Sequence, residues 1–178
     1  MDFLRSITDS IPDYAKDIRL NVGSVLSRSS LEPAQALGVA LAAAYAAGCK
    51  PLVDAIRNSG QLADAEAHGA MSAAALMGMN NVWYPYVEMA GDPELNTQRA
   101  ELRMTVYATH GGIEKQRFEL YALAASIIGK CHFCVRSHYE LLKESGMTVL
   151  QLRDVGRIAA VIGAAATVLA MEGEGGAA

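Results

Sequence analysis

Apolar positions run along the chain in long stretches. Short clusters of Gly, Pro, Asn and Ser separate them, and no segment alternates apolar and polar residues as a half-buried strand does. The pattern predicts helices. Ser10 is placed to cap a first helix with Pro12 in its first turn, running to about Ser27. Ser30 precedes a second, Pro33 to Ala47, which stops at Gly48; Pro51 opens a short third, which ends at Gly60. A fourth spans about Leu62 to Met79, where Asn80-Asn81 interrupts it, and Val82 to Met89 is either helical or irregular. Gly91-Asp92-Pro93 reads as a turn. Helices follow over about Thr97 to Thr109 and Glu114 to Ile128, and another runs from Cys131 to about Ser145. Thr148 caps the last, about Val149 to Met171, and residues 173–178 read as a frayed tail. The expected fold class is all-α, in a single domain over residues 1–178.

A modest internal repeat has a register of 86 residues. It brings Ser59-Gly60 onto Ser145-Gly146, Asp54 onto Glu140 and Leu37 onto Leu123. It relates residues of about 32–79 to about 118–165 and sets Tyr45 and Gly48 opposite Cys131 and Cys134, so only the second copy holds a dithiol. An alanine-rich chain also produces such matches by chance.

Composition strengthens the helical reading. Apolar residues make up 52% and charged residues 19%, alanine is abundant, and aromatics are sparse for a sheet protein. The net charge of −4 comes without a basic stripe, so no nucleic-acid partner is expected. Met1-Asp2-Phe3-Leu4-Arg5 lacks the basic-then-apolar pattern of a leader. The apolar stretches Ala36–Gly48 and Ile158–Met171 fall short of the ~20 residues of a spanning helix. No membrane association and a cytoplasmic location are the expectation, which the odd number of cysteines (three) fits.

The chemistry concentrates at Cys131-His132-Phe133-Cys134 with His138. On a helix, residues three and four apart share a face, so two thiols and an imidazole line one stripe. A helix start supplies free N–H groups and partial positive charge, which favour a thiolate and a reactive dithiol. Such a pair can close a disulfide with little backbone movement. A zinc site through Cys131, Cys134 and His138 is an alternative that needs a fourth ligand, for which His132 or Glu119 is the candidate. Covalent haem attachment is excluded, because Val135 follows the pair where His is required. The segment before the pair reads as helix, which disfavours a thioredoxin fold.

Glu119 lies among Phe118, Leu120, Tyr121 and Leu123. It is either partly buried, with a raised pKa suited to proton transfer, or solvated beside Glu114, Lys115 and Arg117. His132 is placed to tune the dithiol. His68 reads as structural or interfacial, His110 as a helix-end cation, and Cys49 as a buried apolar residue. Met71, Met77 and Met79 read as core filling, whereas Trp83, Tyr84 and Tyr86 suit either a subunit interface or a cover over the site.

The chain resembles the alkyl hydroperoxide reductase D (AhpD) family, within the wider carboxymuconolactone decarboxylase-like superfamily. The resemblance covers nearly the whole length. It rests on Pro12 to Asn21, Met77-Gly78-Met79-Asn80-Asn81-Val82-Trp83-Tyr84, Leu102-Arg103-Met104, Phe118-Glu119-Leu120, and Cys131-x-x-Cys134 with His138. It implies an all-helical homotrimer and an antioxidant oxidoreductase with alkyl hydroperoxidase activity. This enzyme would reduce the oxidised peroxiredoxin AhpC with electrons from dihydrolipoamide, carried on a lipoylated protein and renewed by dihydrolipoamide dehydrogenase. No bound cofactor or metal is implied. Glu119, His138 and a water would relay protons; Cys134 would form the sulfenic acid or mixed disulfide, and Cys131 would resolve it or donate the proton. The dipole argument instead favours Cys131 as the more acidic thiol. The sequence departs from the family pattern at Phe133, where relatives carry His. The rivals are a decarboxylase of a small lactone acid and a non-enzymatic zinc-binding helical protein.

Overall fold

The structure is a computed structural model that describes residues 2–173, and the statements below concern those residues. It is all-α: α1 Arg5–Asp9, α2 Lys16–Ser27, α3 Pro33–Ala46, α4 Lys50–Arg57, α5 Asp64–Ala90, α6 Pro93–Thr97, α7 Thr105–Thr109, α8 Lys115–Ile128, α9 His132–Glu144 and α10 Val149–Gly173. Helices α3 and α8 pack on each other, and both pack on α5 and α10. Flanked in this way they have no solvent face: every residue from Gln35 to Ala44 and from Phe118 to Ser126 is buried. Small side chains allow the close approach. Gly38 lies under the Tyr121 ring, and a Cβ there would fall inside it. The outer helices complete the bundle, α2 on α10, α4 on α3, and α9 on α8 and α5.

Two polar knots tie the helices together. The Tyr121 hydroxyl donates to Glu66, which also pairs with Arg117; Arg117 reaches Glu32 at 3.1 Å. Asp154, 1% exposed on α10, accepts from the Ser30 N–H (2.7 Å) and hydroxyl (2.8 Å), and from Arg153 and Arg157 (2.9 Å each). These bonds hold its carboxyl far below the ordinary range, although burial pushes the other way.

Several element boundaries differ from the expectation. Ser10 ends α1 instead of capping a helix; its hydroxyl bonds back to the Ser6 carbonyl at 2.9 Å, and α2 begins only after a turn at Asp13–Ala15. Helix α5 runs unbroken through Asn80-Asn81 and past Pro85. Tertiary bonding offsets the poor helix propensity of asparagine: Asn81 Nδ2 donates to the Ala125 carbonyl at 3.1 Å. The expected helix over Thr97 to Thr109 forms only at its end, as α7. Residues 98–104 are irregular between the one-turn helices α6 and α7, because Arg99, Glu101 and Arg103 are exposed and too little apolar surface remains to support a helix. Thr148 caps α10 as expected, its hydroxyl accepting from the Gln151 N–H at 3.2 Å. Gly173 is the last residue of α10, and the rest of the expected tail, 174–178, lies outside the described residues. Built on the Ile158–Met171 stretch, α10 reaches 25 residues and is long and apolar enough by length and composition to cross a membrane. Here it packs against α2, α3 and α8.

Two corners of the fold share one backbone. Helices α3 and α8 both have 14 residues and follow a Glu, Glu32 and Glu114. Each ends in a residue at positive φ, Gly48 (68°) and Lys130 (55°), followed by a cysteine that precedes the next helix, Cys49 and Cys131. The Cys49 N–H bonds the Ala44 carbonyl at 3.0 Å, and the Cys131 N–H bonds that of Ser126 at 3.3 Å. By this geometry the counterpart of Cys131 is Cys49, not Tyr45. The Ser59-Gly60 and Ser145-Gly146 corners also correspond, because α9 is longer than α4.

Candidate active site

Cys131 precedes the first residue of α9 in an extended conformation. Its sulfur accepts the Cys134 N–H at 3.2 Å, one of the free donors of the helix start. The two cysteines form a disulfide with Cα atoms 5.3 Å apart. The expected stripe exists and faces inward: Cys131, Cys134 and His138 are 0%, 3% and 5% exposed. Helix α5 closes it from the other side, with the Asn80 carbonyl oxygen 3.8 Å from Cys134 Sγ. A disulfide sulfur has no proton to give, so this is a contact now and an acceptor for a thiol after reduction.

Glu119 is buried at 2% exposure, which decides between its two sequence readings. Its Oε2 stands 2.6 Å from His138 Nδ1, and its Oε1 accepts the Tyr107 hydroxyl at 2.8 Å. An ionised carboxylate only accepts, so His138 carries its proton on Nδ1. The opposite nitrogen, Nε2, lies 3.2 Å from the thioether of buried Met77. The expected raised pKa of Glu119 is not found. Burial pushes it up, but the hydrogen bonds from His138 and Tyr107 and the charges of His138 and Lys115 outweigh this and hold it below the ordinary value. Tyr107 shifts the other way, pushed up to about 12 by burial and by the facing carboxylate.

His132 is brought to none of these groups. It points outward, 80% exposed, 3.8 Å from Glu88. Phe133 stacks on Tyr84 with ring centroids 4.5 Å apart. With Arg136 they line a cavity of about 730 Å³ on the face of α9 turned away from the sulfurs. A second cavity, of about 390 Å³, lies beside Glu119, lined also by Lys115, Gln116, Glu144 and Ser145. His68 is exposed, and Cys49 is a buried free thiol that burial pushes up. Met71, Met77 and Met79 pack in or against the core as expected. Among the described residues no three His, Cys, Asp or Glu side chains converge as metal ligands.

Tyr107 escaped the sequence reading because it lay near the end of an expected helix with no pattern of its own. Met77 was legible only as core. The Met77–Asn81 segment turns out to seat the site: Met77 on His138, Asn80 on Cys134, and Asn81 on the last turn of α8, where Ser126 holds the Cys131 N–H.

A model described as the carboxymuconolactone decarboxylase family matches residues 93–172, the segment holding Tyr107, Glu119 and the disulfide. Among curated proteins, the chain is 43% identical over 167 residues to the alkyl hydroperoxide reductase AhpD of Rhizorhabdus wittichii, covering 93% of this chain and 96% of that one. It is 45% identical over 171 residues to that of Rhodospirillum centenum, covering 95% and 91%. It is 38% identical over 174 residues to that of Coxiella burnetii, covering 95% and 98%.

Proposed function

The chain belongs to the alkyl hydroperoxide reductase AhpD family, and on that footing we propose that it is an antioxidant thiol–disulfide oxidoreductase. It passes electrons from dihydrolipoamide, through Cys131 and Cys134, to the oxidised peroxiredoxin AhpC and, more weakly, to alkyl hydroperoxides. The observation that carries the reading is the disulfide at the start of α9, with the Glu119–His138 pair buried on the same face.

In the charging half, a donor thiolate attacks Cys134 Sγ and Cys131 leaves. The Cys134 N–H on the Cys131 sulfur stabilises that leaving thiolate, and a better leaving group departs faster. The donor's second thiolate then breaks the mixed disulfide and leaves as a cyclic disulfide. Two electrons and two protons remain on the protein. In the discharging half, His138, one turn beyond Cys134, takes the Cys134 proton. The thiolate attacks the peroxiredoxin disulfide, and Cys131 then attacks Cys134 Sγ and frees the second partner thiol. With a hydroperoxide, Cys134 takes the terminal oxygen as sulfenic acid, an alcohol leaves, and Cys131 closes the disulfide with loss of water. Cys134 is the sulfur that meets substrate, and Cys131 is the resolving thiol.

The setting is cytoplasmic, where the dithiol is kept in turnover. The assembly is a homotrimer, supported by the exposed stripe of Val82, Tyr86 and Met89 on α5.

The test is reconstitution with NADH, dihydrolipoamide dehydrogenase, a lipoylated protein and the peroxiredoxin, following peroxide loss. Cys131→Ser and Cys134→Ser each abolish turnover; full activity in either refutes the reading. Omitting the lipoylated protein stops the chain, and undiminished flux without it would point to another donor.

A further inference from the structure

We propose that Tyr107 is a positioning residue of this site: its hydroxyl locks Glu119 as a permanent carboxylate, so that Glu119 orients His138 without carrying protons, and His138 alone exchanges them with the dithiol. The proposal rests on the dithiol function above and revises the division of labour within it.

Three distances carry it. Both oxygens of a buried carboxylate are occupied, Oε1 by the Tyr107 hydroxyl at 2.8 Å and Oε2 by His138 Nδ1 at 2.6 Å. A protonated Glu119 would need a rearranged partner, either the Tyr107 hydroxyl turned to accept or the His138 proton moved from Nδ1 to Nε2. The third distance, 3.2 Å from Nε2 to Met77 Sδ, puts only a soft thioether at that edge of the imidazole. A thioether is easily displaced by a thiolate, so Nε2 is the edge free to serve sulfur. Tyr107 itself is fixed, its ring set edge-on to Phe118 with centroids 6.1 Å apart.

The charges facing Glu119 agree. Lys115 on its own helix and His138 on α9 favour the carboxylate. Glu144 of α9 lines the cavity at its side and opposes them. Tyr84 of α5 acts on Tyr107, and His110 lies beyond Phe118 with ring centroids 6.0 Å apart. None supplies a second donor to Oε1. Removing the Tyr107 hydroxyl therefore leaves a buried carboxylate oxygen unpaired, a loss large enough to move its titration upward by on the order of one pH unit.

The experiment follows the rate of disulfide reduction by dithiothreitol against pH, together with thiolate absorbance of the reduced protein, in wild type, Tyr107→Phe, Glu119→Gln and the double variant. Tyr107→Phe moves the acid limb of the rate profile up by roughly one unit and slows reduction about tenfold on that limb. In the Glu119→Gln background the same change has no further effect, because Tyr107 acts through Glu119. A tyrosine change that lowers the rate with an unmoved limb, or that slows the Glu119→Gln protein equally, overturns the proposal. Infrared difference spectra of wild type against Glu119→Gln keep it testable if Tyr107→Phe folds poorly: Glu119 stays ionised through the ordinary carboxylate range, and a protonated-carboxyl band appearing within or above that range refutes it. These measurements need no peroxide, lipoyl donor or peroxiredoxin, so they stand or fall apart from the proposed electron path.

Discussion

Met77 Sδ and Glu119 grip opposite edges of the same imidazole, and neither residue type alone would announce a site. Met77→Leu keeps the volume and removes the sulfur. It is expected to cost less than about 1.5 kcal/mol in stability while changing the pH dependence of dithiol reactivity; thermal unfolding and the thiolate titration read the two separately. His138→Ala removes the proposed proton carrier and is expected to slow turnover by about 10²–10⁴, measured as kcat/KM with hydroperoxide and the proposed donor dihydrolipoamide. At this scale the sequence was legible where spacing on one helix settles the outcome, as for Cys131, Cys134 and His138. It was not legible where a contact crosses between helices. Glu119 could be read as buried or solvated because its flanks carry both characters, and its downward shift, won against burial, depends on His138 and then Tyr107, both on other helices.

Helix α5 shows what an element-level pattern misses. Asn80-Asn81 reads as a stop, because asparagine competes with the helix for its own backbone bonds. Tertiary partners reverse that preference: Asn80 is buried, and Asn81 pins the end of α8. The Gly129 Cα lies against the Asn81 amide, where a Cβ would collide with it. Gly129→Ala is expected to displace that amide and loosen the corner before Cys131, destabilising the protein by about 1–3 kcal/mol. Chemical denaturation measures the loss, and faster disulfide reduction by dithiothreitol would report the loosened corner. The failed expectation over Thr97 to Thr109 is the converse case. Single-residue propensities there allow a helix, but only Ala100 and Met104 of residues 98–104 are even partly buried.

Over the whole molecule, the all-α class and the buried helices α3 and α8 follow from composition and periodicity, because a helix flanked on all sides reads as continuously apolar. Which helices flank which does not follow, since that depends on surfaces of similar Ala-rich character. Asp154 secures one such choice by fastening the α2–α3 connection to α10. Its pKa is depressed in the fold, so its stabilisation is complete above the ordinary carboxylate range of about 4 and is lost as pH falls below it. Asp154→Ala is expected to cost about 3 kcal/mol near neutral pH, lowering Tm by roughly 6–12 °C, with the difference from wild type shrinking in acid. Mass in solution tests the assembly: Met89→Glu should convert a trimer to monomer if the α5 stripe is the contact, and an unchanged mass would place the contact elsewhere.

The corner shared by Cys49 and Cys131 carries the comparison further. With those cysteines superimposed, Leu37, Leu52 and Ile56 fall where Glu119, Cys134 and His138 stand, and all three are buried at 4% exposure or less. In that register the first corner carries hydrocarbon where the second carries its reactive groups. That makes the molecule its own control specimen: Leu37→Glu, Leu52→Cys and Ile56→His would ask whether the backbone corner suffices to make a cysteine pair reactive, or whether the contacts that Met77, Asn80 and Tyr107 make at the second corner are what turn a tolerated pair into a working one.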